Sequence, residues 1–142
     1  MTKKELSQYY WLEKEIKADE ERLKVLREQA EAPRAQQLTG MPHGSNGNKD
    51  QIGKVTAEIV DLQAIIAAKQ IQCIHERQRI ERFIAEIPDS KTRMIFTHRC
   101  IDGLSWQEVS VAMNGRISEG YARNLFYKYL KEGNADISVN DN

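Results

Sequence analysis

The chain is poor in the residues that build small rigid scaffolds and metal sites. It has two cysteines in 142 residues, Cys73 and Cys100, and no CxxC spacing. That is too few for a disulfide framework, and the expected state of both is a reduced thiol. Its three histidines, His43, His75 and His98, are scattered, so no metal site is expected. Three prolines and eight glycines exclude a collagen-like or proline-rich architecture. No apolar run approaches the ~18 residues of a membrane span, and the start MTKKELSQYY lacks a signal-peptide core. A soluble, cytoplasmic protein without a membrane partner is therefore expected. Also missing are a G-x-S-x-G elbow, a P-loop, a Cys–His pair in a recognisable setting and a carboxylate cluster. No catalytic residue, cofactor or small-molecule substrate is expected, and the chain does not read as an enzyme.

Helix-forming sequence takes the place of these features. Residues 1–32 contain no Gly or Pro, and Tyr9, Ile16, Leu23 and Ala30 repeat every seven residues. Leu12 and Leu26 fill the companion positions, which Asp19 interrupts, and Pro33 stops the helix. Residues 33–50, PRAQQLTGMPHGSNGNKD, are rich in turn formers and read as a long flexible connection. In residues 51–87 the positions Ile52, Ile59, Ile66, Cys73, Ile80 and Ile87 again fall seven apart. Val55, Leu62 and Phe83 take the companion position, while Lys69 and Glu76 break it. Such a seam specifies coiled-coil-like packing. The first helix can fold back on the second as a long antiparallel hairpin, and Ile65, Ile74 and Ile84 widen the apolar face towards a second chain or the C-terminal unit. A hairpin and a homodimer are compatible.

Pro88 opens a different unit, residues 88–131. SKTRMIFTHRCI reads as a short helix, and Asp102-Gly103 as a tight stop. Ser105 with Glu108 three residues on has the form of a capping box, starting a helix that Gly115 ends. Ser118 can cap a third helix with a buried stripe of Ala122, Leu125, Phe126 and Tyr129 or Leu130. Trp106 reads as core. Residues 132–142 form a polar tail expected to fray. Net charge over the whole chain is zero, yet 88–131 holds seven basic residues against four acidic ones. The tail takes charge back with Glu132, Asp136 and Asp141. The fold class is thus all-α: a helical hairpin followed by a helix-turn-helix unit. In that unit one helix braces across a DNA backbone and the next enters the major groove. Candidate DNA-binding residues are Arg116, Ser118, Tyr121, Arg123, Asn124, Tyr127 and Lys128, with Arg93 and Arg99 as candidate backbone contacts. Arginine grips guanine edges and asparagine adenine edges, whereas Lys, Ser and Tyr more often hold phosphate. Glu119 reads as a helix-dipole partner.

Residues 87–130, IPDSKTRMIFTHRCIDGLSWQEVSVAMNGRISEGYARNLFYKYL, resemble region four of bacterial sigma factors. Arg99, Asp102, Gly103, Leu104, Ser105, Trp106, Glu108 and Val109 match its first part, and Ile117 and Ser118 match the turn into its recognition helix. As a whole the chain is similar to the sigma-like regulators of phages and prophages, the ArpU/RinA-like group of late-gene transcription activators. The longer turn AMNGRIS, Ser110 in place of a small Ala, and Tyr121-Ala122 in place of Thr-Val depart from the pattern. The resemblance implies a transcription regulator that binds double-stranded DNA and contacts host RNA polymerase. A second class fits the same residues: a non-enzymatic protein-interaction module, such as a scaffold, a host-factor antagonist or a packaging-terminase small subunit.

Overall fold

A computed structural model describes residues 1–31 and 46–139, with side chains described for 1–31 and 50–133. It is all-helical among these residues, which places the chain in the expected all-α class. The elements are α1 (Lys3–Glu31), α2 (Asn46–Ala85), α3 (Ser90–Phe96), α4 (Trp106–Ala112) and α5 (Glu119–Val139), with a π-helical turn, Thr97–Ile101, directly after α3. Most of the 33–50 segment lies outside the described residues. Its last part does not match the expected loop, because α2 already starts at Asn46. Likewise α5 continues to Val139, through most of the expected polar tail.

The chain forms two compact units. One comprises residues 14–71, the other residues 1–13 and 72–142. In the first, Leu26 of α1 is buried with Leu62 and Ile66 of α2, flanked by Leu23 and Ile59. Lys69 bonds Asp19 at 2.6 Å and Glu15 at 3.0 Å, with the Lys69 and Asp19 side chains about one-fifth exposed. Asp19 interrupts the first apolar seam and Lys69 is one of the two residues that break the second, and these two meet each other. Ile65 and Val60 stay exposed.

The second unit has a single core to which every element contributes. Leu6 and Tyr9 of α1, Ile80 and Ile84 of α2, and Ile87 just beyond it meet Ile95 and Phe96, Cys100, Trp106 and Val109, Ile117, and Ala122, Phe126 and Leu130. The boundary expected at Pro88 therefore separates helices but not cores: Ile80 near the end of α2 and Ile87 just beyond it are among the most buried side chains. Of the three residues expected to widen the face of α2, Ile84 enters this core, while Ile65 and Ile74 remain exposed. Phe96 lies at the centre, 4.4 Å from the Phe126 ring and 5.5 Å from Tyr129.

Local sequence sets each boundary here. Asp89 caps α3 by accepting from the Thr92 amide at 2.9 Å and the Thr92 hydroxyl at 2.7 Å. The expected helix over 90–101 loses its α-helical register at Thr97, and the Asp102 amide donates to the Thr97 carbonyl five residues back. Gly103 then turns the chain at φ +69°, which favours glycine, and a Cβ there would sit 3.1 Å from the Tyr10 ring and press on it.

Candidate nucleic-acid interface

The candidate site begins with how α4 is held. Ser105 and Glu108 form the full capping box: the Glu108 amide donates to Ser105 Oγ and the Ser105 amide to Glu108 Oε2. Trp106 and Val109 point inward. The turn after α4 closes through two bonds, Asn114 N to Val111 O and Gly115 N to Ser110 O, the Schellman pattern. Asn114 takes the left-handed position at φ 59° and Gly115 follows at φ 66°. The helix is thus ended by Asn114 first, not by Gly115 alone. Ser110, the departure from the sigma pattern, donates its hydroxyl to the Ile117 carbonyl at 2.6 Å and ties the long turn back to α4.

Ser118 caps α5, accepting from the Tyr121 amide at 3.2 Å. Ala122, Phe126 and Leu130 anchor that helix from one side. The opposite side leaves Glu119, Tyr121, Arg123, Asn124, Tyr127 and Lys128 exposed, with Arg116 and Ser118 exposed just before it. All seven candidate DNA-binding residues are therefore exposed, and a Cβ at Gly120 would meet open space. The surface is not uniformly cationic. Arg123 pairs with Glu119 at 3.1 Å, and Lys128 lies 3.9 Å from Glu132. Exposed pairs four apart on a helix are worth only about 0.3–0.5 kcal/mol, so a phosphate or base edge can displace these carboxylates. Lys3 sits 5.2 Å from the Tyr127 ring centroid and adds a cation from α1 that the pattern of α5 could not reveal.

Arg93 and Arg99 are placed differently. Arg93 donates to the carbonyls of Ile87 at 2.6 Å and Pro88 at 3.0 Å, which fastens α3 to the connection that follows α2. Arg99 donates to the Leu104 carbonyl at 2.8 Å and stacks its guanidinium 4.7 Å from the Trp106 ring. Both are half-buried and engaged within the fold, and the structure does not bring them to the surface of α5. His98 Nδ1 lies 2.9 Å from Asp102 Oδ2, also a local contact. A second cation that sequence reasoning missed is Lys91. It lines a cleft with Arg116, Ser118 and Tyr121, and only the tertiary packing of α3 against α5 brings it there.

No helix among the described residues is long and apolar enough to cross a membrane. In comparison with known proteins, no family model, curated protein or solved structure matches the chain.

Proposed function

We propose that the chain is a DNA-binding transcription regulator of phage or prophage type that acts by binding and not by catalysis. In this reading α4, its turn and α5 are a helix-turn-helix, with α5 as the recognition helix, and α1 and α2 form an antiparallel hairpin. One observation carries it: α5 is locked by Ala122, Phe126 and Leu130 while Tyr121, Arg123, Asn124, Tyr127 and Lys128 face outward from its first three turns. A rigid helix with a free polar face is what groove reading requires. The hairpin reading rests on Leu26 meeting Leu62 and Ile66 while Asp19 meets Lys69. Val60 and Ile71, exposed on the same side of α2, are apolar side chains available for homodimerisation or for contact with RNA polymerase. The test is a salt-titrated binding assay with duplexes from the neighbouring genomic DNA. Arg123→Ala and Lys128→Ala should each weaken binding, and Lys128→Ala should lower the salt slope by about 1.

The second reading is a protein-interaction module. Val111 favours it, because it stands 72 % exposed on α4 beside the turn. Partner capture that survives Arg123→Ala and Lys128→Ala, with no DNA binding by the wild type, would select that reading.

A further inference from the structure

Beyond the residues of α5, a cleft of about 480 Å3 opens between the start of α3 and the turn before α5, lined by Lys91, Met113, Arg116, Ile117, Ser118 and Tyr121. Its two cations differ from Arg93, Arg99, Arg123 and Lys128. Arg93 and Arg99 are bonded to backbone carbonyls, and Arg123 and Lys128 each face a carboxylate on their own helix. Neither Lys91 nor Arg116 forms a salt bridge among the described residues. The carboxylate nearest to Lys91 in sequence, Asp89, is bonded to the Thr92 amide and hydroxyl. Lys91 instead donates to the Tyr121 hydroxyl at 3.1 Å, and its ammonium lies 5.2 Å from the centroid of that ring. This contact holds the ammonium in place without neutralising it, and it leaves the phenolic hydrogen free to donate. Ser118 Oγ already accepts from the Tyr121 amide, so that first-turn amide is occupied.

We propose that this cleft seats a single backbone phosphate of the duplex, with Lys91 and Arg116 as its cations and Tyr121 Oη as a hydroxyl donor. The proposal rests on the DNA-binding reading and extends it to a residue outside the recognition helix. Two cations that form no salt bridge and a hydroxyl, all lining one cleft, suit a tetrahedral anionic oxygen group. Tyr121 joins the cleft to the exposed face of α5, so a strand seated here continues towards Arg123 and Asn124. A phosphate contact positions the protein on the duplex and carries no sequence information of its own.

Fluorescence anisotropy on the full chain tests this, using a genomic duplex and a scrambled duplex over about 50–200 mM salt. Lys91→Gln should weaken both duplexes by the same factor and reduce the salt slope by less than about 1, because Arg116 still faces the phosphate. Lys91→Arg should restore the slope. The double variant Lys91→Gln/Arg116→Gln should lose about as much slope as one phosphate carries, because both side chains serve one group. Thermal melts of each variant should match the wild type. An unchanged slope in the double variant, with wild-type binding intact, overturns the phosphate seat and leaves the DNA reading standing. A loss restricted to the genomic duplex overturns it too, since that would mark base readout. If the wild type binds neither duplex at low salt, the DNA-binding reading itself falls and the seat with it.

Discussion

The residues that carry the sigma-like motif are occupied with holding the chain together. Arg99 reaches the Leu104 carbonyl and the Trp106 ring, Gly103 turns at positive φ against Tyr10, and Ser105 and Glu108 cap α4. These residues encode local geometry, and they speak to the shape of the unit more than to its ligand. Two predictions belong to single residues here. Gly103→Ala should cost at least ~1–2 kcal/mol, since it forces an L-residue into a left-handed conformation and against the Tyr10 ring; chemical denaturation measures it. Ser105→Ala should cost about 0.5–2 kcal/mol through the lost cap, and a loss close to zero would show that α4 does not depend on its box. What sequence could not show was the occupation of Arg93 and Arg99 and the arrival of Lys91 beside Tyr121. An exposed-looking arginine and a backbone-bonded one have the same spacing. Which carbonyls lie within reach is decided by packing.

Elements were readable where they repeat or punctuate. The sevenfold spacing of Ile52, Ile59, Ile66, Cys73, Ile80 and Ile87 marks α2, yet those positions meet different surroundings. Ile66 lies with Leu26, whereas Ile80 and Ile87 enter the core with Phe96 and Phe126. The spacing states that a face is apolar and is silent on what covers it. The breaks in the seams are as informative as the seams. Asp19 and Lys69 looked like separate defects and are bonded partners. Their pairing needs a tertiary contact that no local window contains. Removing one charge, as in Lys69→Leu, leaves Asp19 partly buried beside Glu15 and should lower the melting temperature. The double change Asp19→Leu/Lys69→Leu should recover at least part of that loss, because it replaces the ion pair with apolar contact. A double variant less stable than the single one would contradict this account of the pair.

At the scale of the molecule, buried groups tie stability to pH. Burial pushes the Cys100 thiol up to about 12. Burial, reinforced by the hydrogen bond to the Glu13 carboxylate, pushes Tyr9 up to about 12 as well. Both values lie above those of the unfolded chain, 9.0 and 10.0. The resulting stabilisation is fully present below pH about 9 and is lost as pH rises from there towards 12. The denaturation midpoint should accordingly fall across that alkaline range. At neutral pH a thiol reagent should label the partly exposed Cys73 and leave Cys100 unmodified until the unit unfolds. A Cys100 that labels as fast as Cys73 would show that this core opens far more readily than its packing implies.

The central claim is that α5 offers its free face to a duplex, and the salt dependence of binding tests it most directly. Anisotropy with a genomic duplex should show affinity falling linearly on logarithmic axes as salt rises. Lys128→Ala should flatten that line by about 1, and Asn124→Ala should narrow the gap between genomic and scrambled duplexes. Binding that ignores salt, or that survives the loss of Arg123, Asn124 and Lys128 together, would contradict it.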